Sequence, residues 1–252
     1  MRADEPLLVE VRDEGAAWIT FNRPDQRNAL DAEQWDRLAA ALSRLAGDSA
    51  VRCLVVTGAK DAFVAGGDLK RLLNEIDAPN GPSAFRERIH RCFDALCSFP
   101  RPTIARVNGA AIGGGLELAV ACDIRIAVQS AKWGIPAARF GMVMAAPDFT
   151  RLASIVGIDR ARFLAITADV IAGEEAHRIG LVHELVAAND LDSAIERWVR
   201  RICGMEPEAV SWFRQAALGL EKSADLESLR PFEEECLRRP EFRRRVEEFL
   251  RK

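Results

Sequence analysis

Three consecutive glycines, Gly113, Gly114 and Gly115, stand directly before a run of helix-forming residues. Glycine destabilises a helix interior by about 1 kcal/mol relative to alanine, so a triplet at this place needs a specific role. A helix N-terminus presents free backbone N–H groups and a partial positive charge, and glycine adds no Cβ that would shield them. The triplet therefore predicts a helix start that binds an anion, or a carbonyl oxygen that becomes negatively charged during a reaction.

A second glycine pair, Gly66 and Gly67, also follows a strand-like segment and precedes a helical stretch. Two such turns at the ends of adjacent strands can direct two N–H groups at one oxygen atom. Tight turning or close packing explains either cluster taken alone, so the spacing by itself leaves their pairing open.

The first part of the chain alternates strand and helix signals, with a strand, a turn and a helix recurring about every 40 to 50 residues. Asp31 is predicted to cap a helix that ends at Gly47, and residues 51–59 read as a buried strand. After about residue 145 the strand signals fade, and we expect helices through the charged C-terminal tail. The pattern predicts an α/β core wound from ββα or βαβ units, followed by a helical region.

Composition excludes several functional classes. The 252-residue chain is 49% hydrophobic and 29% charged with a net charge of −3, which is ordinary for a globular protein. No apolar run is long enough to span a bilayer, and no long basic block indicates nucleic acid as a partner. The charged N-terminus lacks a signal-peptide core, which predicts a cytoplasmic protein. The six cysteines show no C-x-x-C pair and are interpreted as core thiols, and no metal site is predicted.

Four segments together resemble the crotonase superfamily, the enoyl-CoA hydratase/isomerase proteins. They are "FNRPDQRNALD" at 21–31, "AFVAGGDL" at 62–69, "PTIARVNGAAIGGGLELAVACDIRIA" at 102–127, and the stretch 151–186 that contains "RIGLVHELV". The resemblance covers nearly the whole chain.

This resemblance implies a crotonase-like spiral of ββα units over residues 1–195, with a helical C-terminal region over 196–252 that serves packing and oligomerisation. It also implies assembly as a homotrimer or a dimer of trimers. The substrate it implies is an acyl-CoA or enoyl-CoA thioester, so that coenzyme A enters as part of the substrate and no separate cofactor is needed.

The resemblance also implies roles for particular residues. The backbone N–H groups of Gly67 and Gly114 map onto the oxyanion hole that holds the thioester carbonyl, and Ala29 and Leu30 map near the pantetheine. Arg23 or Arg27 either meets phosphates or is merely exposed. The remaining substrate-binding positions implied are Ala65, Gly66, Asp68, Leu69, Gly113 and Ala137.

In hydratases of the family two glutamates hold the attacking water, and the first maps onto Glu117. It lies three residues beyond Gly114, on the same helix face one turn later, where an acid can reach a group held in the hole. The alternative interpretation is a buried structural carboxylate. The second glutamate is replaced by Ala137, and Ala145 stands where some relatives carry an aspartate base, which leaves Asp148 as the one carboxylate of residues 141–152.

Three hypotheses follow from this departure. The chain is a hydratase or isomerase that works with Glu117 alone or recruits Asp148; it catalyses another enolate reaction, such as decarboxylation or C–C cleavage; or it is a catalytically weak acyl-CoA-binding protein.

His90 is a candidate substrate contact. Phe140, Met142 and Met144 line an acyl pocket or belong to the core, and the core was the preferred interpretation.

Overall fold

The structure, a computed structural model, describes residues 5–221 and residue 244. Ten strands lie in the described part of the chain. They are β1 Leu7–Val11, β2 Ala16–Phe21, β3 Cys53–Gly58, β4 Ala62–Val64, β5 Thr103–Val107, β6 Ala110–Ile112, β7 Ile124–Val128, β8 Lys132–Gly134, β9 Val170–Ala172 and β10 Glu184–Val186.

Nine α-helices accompany these strands over the same described residues. They are α1 Ala32–Ala46, α2 Leu69–Ile76, α3 Gly81–Cys97, α4 Gly114–Ala121, α5 Ala146–Val156, α6 Ile158–Thr167, α7 Gly173–Arg178, α8 Leu191–Cys203 and α9 Pro207–Glu221. Short 3₁₀ turns occur at Asp13–Gly15, Pro24–Gln26, Pro136–Phe140 and Ala188–Asp190.

The strands form two sheets. The larger has the order β1-β2-β3-β5-β7-β10 and is parallel except for the antiparallel pair β1–β2. The smaller has the order β4-β6-β8-β9 and is parallel except for β8–β9. The predicted α/β spiral is thereby confirmed, because each turn of the chain adds one strand to each of the two sheets over much of its length.

The central strand β3 explains why the larger sheet is parallel and buried. All of its residues are buried, as expected for a parallel strand covered on both faces. Val55 pairs with Trp18 on one side and with Ile104 on the other. Helix α1 covers this sheet with an apolar stripe that includes Leu38 and Leu42, which belong to the same hydrophobic cluster as β3.

Local signals located several elements correctly. The Asp31 carboxylate accepts a hydrogen bond of 2.9 Å from the backbone N–H of Gln34, so it caps α1 as predicted. The segment after the glycine triplet is helical through Ala121 and becomes strand β7 at Ile124. The expectation that strands cease after residue 145 is wrong, because the three-residue strands β9 and β10 complete the two sheets.

The predicted division at residue 195 falls inside α8, and the two-part organisation stays a prediction. Most of the charged tail and Cys236 lie outside the described residues. Over the described residues, no helix combines the length and the apolarity needed to cross a membrane.

Candidate functional site

The two glycine clusters lie against each other in the fold. Strands β4 and β6, which lead into them, are neighbours in the smaller sheet. A Cβ placed on Gly113 would lie 3.8 Å from the Cα of Gly66, and one placed on Gly66 would lie 3.2 Å from the carbonyl oxygen of Ile112. The pairing of the two glycine turns, which their spacing in the sequence left open, is therefore present in the structure.

Each glycine of the triplet has a different role. Gly113 adopts φ 52° and ψ −121° before the helix begins, and its N–H donates to the carbonyl of Gly134 at 2.9 Å. Gly115 packs so closely on β4 that a Cβ there would lie 2.0 Å from the carbonyl oxygen of Val64. Gly114, between them, is the first residue of α4 and faces the cavity described below. Backbone conformation and packing thus account for two of the glycines, and the Gly114 N–H has no partner among the described residues.

Gly67 presents its N–H through strand-like pairing. Leu30 forms a parallel bridge with Gly67, in which the Leu30 N–H donates to Gly66 and the Asp68 N–H donates to Leu30. In such a bridge the central residue's own N–H points away from its partner. Within the described residues, the N–H groups of Gly67 and Gly114 have no hydrogen-bond partner. Two unshared donors are therefore exposed on neighbouring turns.

Gly67 and Gly114 both line one cavity of about 800 Å³. Its walls come from the loop before α1, from α2, α3 and α4, and from the chain that leads into α5. The predicted site residues that line it are Leu30, Ala65, Gly66, Gly67, Leu69, Gly113, Gly114, Glu117 and Ala137. Ala29 and Asp68 are not among the lining residues. Asp68 instead caps α2, where its carboxylate accepts from the N–H of Arg71 at 3.2 Å.

Among the described residues four carboxylates line the cavity, and they differ in whether an arginine pairs with them. Asp31 pairs with Arg23 at 2.8 Å, and Glu75 pairs with Arg88. Asp148 pairs with Arg151, with 2.9 Å between the Asp148 Oδ1 and the Arg151 Nη1. Glu117, the fourth, has no ion pair or side-chain hydrogen bond within the described residues.

The environment of Glu117 favours its protonated form. The side chain is half-buried on α4, one turn after Gly114. Burial and then the negative charge of Asp148 raise the pKa of Glu117 to about 8. At pH 7 the group is therefore mostly a neutral acid that can donate a proton into the cavity and recover it.

Asp148 is the nearest candidate for a second acid. It is buried and lines the same cavity as Glu117. Burial raises the pKa of Asp148, whereas the charge and hydrogen bond of Arg151 act in the opposite direction. Arg151 was missed in the sequence, although its i,i+3 spacing from Asp148 on a predicted helix was a usable signal.

The positions of the replaced acids also face this cavity. Ala137 lies in the 3₁₀ turn after β8, and Ala145 is the residue that precedes α5. Both line the cavity together with Glu117. The methyl groups leave this side of the cavity without the proton-transfer group that the family resemblance places at position 137.

Arg23 has a structural role rather than either predicted one. Its guanidinium pairs with Asp31 at 2.8 Å and Asp68 at 3.1 Å and donates to the carbonyl of Ala29 at 2.8 Å. The side chain is only 11% exposed, so it is neither free at the surface nor available to phosphates. Arg27 is exposed and has no ion pair among the residues described.

The preferred core location is wrong for Phe140 and Met142, which are exposed, whereas Met144 is partly buried and packs against the hydrophobic core. All three line the cavity, and Phe140 is 57% exposed. The reason is that residues 136–145 form the rim of the cavity instead of a buried element.

His90 lines the cavity from α3, as its candidate role requires. Trp35 of α1 was missed: its ring lies 3.4 Å from the position of a Cβ on Gly114.

The family model described as "Enoyl-CoA hydratase/isomerase" matches residues 12–240 of the chain. The crotonyl-CoA hydratase of Syntrophomonas wolfei is 36% identical over 218 residues, which cover 85% of this chain and 82% of that protein. The short-chain-enoyl-CoA hydratase of Clostridium acetobutylicum is 34% identical over 221 residues, which cover 87% and 84% of the two chains.

A solved structure gives the same result. An enoyl-CoA hydratase/carnithine racemase from Magnetospirillum magneticum superposes with a TM-score of 0.84 at 28% identity, covering 88% of this chain and 83% of that chain. The glycine loops, the cavity, the two-sheet spiral and these matches agree, and the chain belongs to the enoyl-CoA hydratase/isomerase family of the crotonase superfamily.

Proposed function

We propose that this protein acts on an acyl-CoA or enoyl-CoA thioester through its enolate, as a hydratase or an isomerase. The observation that carries the proposal is the convergence of two unshared N–H donors, from Gly67 and Gly114, and one unpaired acid, Glu117, on a single cavity. The names of the hydratase relatives support the choice of a CoA thioester as substrate.

The two N–H groups form the proposed oxyanion hole. When the thioester becomes an enolate, negative charge moves onto its oxygen, and donors already in place stabilise that charge without reorganising. Because Gly113 and Gly115 are fixed by backbone conformation and packing, the Gly114 N–H holds its direction. The hole binds the charge that develops in any enolate reaction, so it does not by itself select hydration.

Glu117 is proposed to move the proton. In an isomerisation, one carboxylate can remove a proton from the carbon next to the thioester carbonyl and return it two carbons further along the chain. In a hydration, one group takes a proton from water while a proton is delivered to the same α-carbon. Glu117 suffices for the first reaction through its ionised fraction, which grows as the pH approaches its pKa of about 8. The second reaction also calls on Asp148, because Ala137 cannot exchange protons.

Coenzyme A is proposed to enter only as part of the thioester, with Leu30 and Ala65 at the cavity wall near its pantetheine arm. Ala29 directly precedes Leu30 in the same loop, so it is also proposed to lie near the pantetheine arm. A cytoplasmic location stays a prediction.

A homotrimer or a dimer of trimers is proposed as the assembly. The exposed apolar side chains of α6 support an intermolecular contact, since Ile158 is 53%, Phe163 56% and Ile166 70% exposed. Light scattering coupled to size exclusion measures the mass, and a monomer at micromolar concentration would contradict the proposal.

The experiment that tests the function compares two substrates. The purified protein and its Glu117→Gln variant are assayed for hydration of crotonyl-CoA and for conversion of a 3-enoyl-CoA to the 2-enoyl-CoA. We expect wild-type turnover of at least one substrate and a loss of about 10² to 10⁴ in kcat for the variant. Folded wild-type protein that binds both thioesters without turning over either would contradict the catalytic proposal and support acyl-CoA binding alone.

A further inference from the structure

Two cysteines that are distant in sequence lie next to each other at the edge of the hydrophobic core. Cys53 is the first residue of β3, and Cys203 is the last residue of α8. Their Sγ atoms are 3.7 Å apart and share a hydrogen bond, and both are free thiols. The pair is remote from the acyl-CoA cavity, whose lining includes neither residue.

The two thiols differ in access to solvent. Cys53 has no exposed surface, whereas Cys203 is partly exposed at the end of its helix. A small oxidant in solution therefore reaches Cys203 first, and Cys53 stands behind it. Redox-active thiol pairs generally combine one accessible thiol with a neighbouring resolving thiol.

A cationic neighbour makes the accessible thiol the more reactive one. The guanidinium of Arg52 donates from Nη2 to the carbonyl of Cys203 at 3.0 Å and to that of Met205 at 3.3 Å. The hydrogen bond that Cys203 shares with Cys53 and the charge of Arg52 hold the pKa of Cys203 below its usual range, although burial acts in the opposite direction. The shared hydrogen bond and burial raise the pKa of Cys53. Because Cys203 is the partly exposed thiol and its residue is bonded to the Arg52 guanidinium, we expect the thiolate, which is the nucleophile, to form at Cys203.

We propose that Cys53 and Cys203 are a redox-active dithiol that a peroxide converts reversibly into a disulfide. This site is independent of the proposed enzymatic function.

The chemistry needs one peroxide per disulfide. The Cys203 thiolate attacks hydrogen peroxide, the O–O bond breaks, and Cys203 becomes a sulfenic acid while the released hydroxide takes up a proton to give water. The Cys53 sulfur then attacks the Cys203 sulfur, the S–O bond breaks, and the leaving hydroxide takes the Cys53 proton as a second water. Two thiols are oxidised by two electrons, and both oxygens of the peroxide are reduced to water.

The geometry allows this bond with a small movement. A disulfide requires an S–S distance of about 2.05 Å, so the sulfurs must approach by roughly 1.7 Å from 3.7 Å. Cys203 can supply the movement, because it ends α8 and is followed by Gly204. The bond would tie α8 to the central sheet and close a loop between residues 150 positions apart. Long closed loops constrain the unfolded chain most, so oxidation should stabilise the fold.

The test uses the full chain treated with hydrogen peroxide and then alkylated. We expect a mass loss of about 2 Da per molecule before alkylation, protection of Cys53 and Cys203 from alkylation, a cross-linked peptide pair that contains both residues, and restoration of both thiols by dithiothreitol. The oxidised protein should melt on the order of 10 °C higher than the reduced protein.

Two variants act as controls. Cys203→Ser should abolish the mass loss and the shift in melting temperature, whereas Cys236→Ser, which removes a thiol outside the described residues, should retain both. The proposal is overturned if Cys203 gains two oxygens as a sulfinic acid without linkage. It is equally overturned if the linked peptides contain other cysteines, such as the buried Cys97 and Cys122. Both overturning results are observed on the wild-type protein, so they decide the proposal even where a variant folds poorly.

Discussion

The proposed active site has two halves that are built from different parts of the chain. The oxyanion half consists of the main-chain donors proposed at Gly67 and Gly114, on two glycine turns that lie against each other. The proton-transfer half depends on side chains, and there Ala137 and Ala145 replace acids while Glu117 remains. The difference indicates that stabilisation of an enolate and choice of reaction are separable properties of one cavity.

The main-chain half is also held more firmly than the side-chain half. Gly113 is bonded to β8, and Gly115 touches the β4 backbone. By contrast, the side-chain half includes the exposed rim, where Val143 is 89% exposed. Ala137 and Ala145 lie on this rim, where substitutions perturb the fold least.

The largest expected effect comes from removing one main-chain donor. Gly114→Pro deletes an N–H and should lower kcat by about 10² to 10³. Gly114→Ala keeps the N–H, and its Cβ would meet Trp35 at 3.4 Å and Leu30 at 3.5 Å, which are ordinary contacts. The alanine variant should therefore lose much less activity. Steady-state kinetics measure the difference, with circular dichroism to confirm that both variants fold. Equal losses of kcat in Gly114→Pro and Gly114→Ala would show that the Gly114 N–H takes no part in the mechanism.

The next effect concerns the stability linked to Glu117. Its pKa is raised from 4.5 to about 8 by burial and the charge of Asp148. As pH rises from 5 to 8 the unfolded chain releases this proton while the folded chain keeps it, so wild-type stability falls over that range. The Gln side chain of Glu117→Gln does not titrate. Between pH 5 and pH 8 the free energy of unfolding of this variant should therefore rise relative to that of wild type by about 2 kcal/mol, a value that allows for partial solvation through the cavity.

Urea unfolding of wild type and Glu117→Gln at several pH values measures this gain. Glu33→Gln, on the exposed surface of α1, is the matched control, and its stability relative to wild type should show no comparable trend. A Glu117→Gln difference that stays constant from pH 5 to pH 8 would show that the wild-type carboxylate is ionised throughout.

A smaller effect is expected from rebuilding the missing acid. Ala137→Glu places a carboxyl in the cavity that contains Glu117, and should raise the rate of crotonyl-CoA hydration by about tenfold, a modest part of the usual contribution of general acid–base catalysis. Ala137→Gln has the same size without the acid and should give no gain. If both variants are accelerated alike, the effect is one of shape and not of proton transfer.

The smallest effect is a shift in pH dependence. Asp148→Asn removes a negative charge that raises the pKa of Glu117 and leaves the Arg151 charge less compensated. Both changes lower the pKa of Glu117, so in the isomerisation assay, which does not call on Asp148, the limb of the kcat/KM profile that Glu117 governs should move to lower pH. Asp159→Asn, on the exposed surface of α6, is the control and should leave the profile in place. An unchanged profile for Asp148→Asn would mean that the two carboxylates are not coupled.

Local features of the site were predictable because short-range physical chemistry determines them. The Asp31 cap, the helix that begins at Gly114 and the placement of Glu117 one turn later each depend on fewer than ten neighbouring residues. The pairing of the two glycine turns needed the family resemblance, since no local signal specifies which strands become neighbours.

The features that were missed depend on contacts between distant residues. Arg23 was expected to bind phosphate or to be exposed, but it pairs with Asp68, which lies 45 positions away. Strands β9 and β10 have three residues each, too few to show a periodicity, and they exist because β8 and β7 offer free edges. The exposure of Phe140 was missed because an apolar side chain at a cavity rim has the same sequence signature as one in the core.

The close packing of Gly115 on Val64 has a thermodynamic consequence. At Gly115 there is no room for a side chain between α4 and β4, since a single Cβ there would already lie 2.0 Å from the Val64 carbonyl oxygen. The spacing of the two proposed donors is therefore independent of rotamer choice. Their conformational entropy is lost when the chain folds and not when a thioester binds, so ordering the donors adds nothing to the entropic part of the activation barrier.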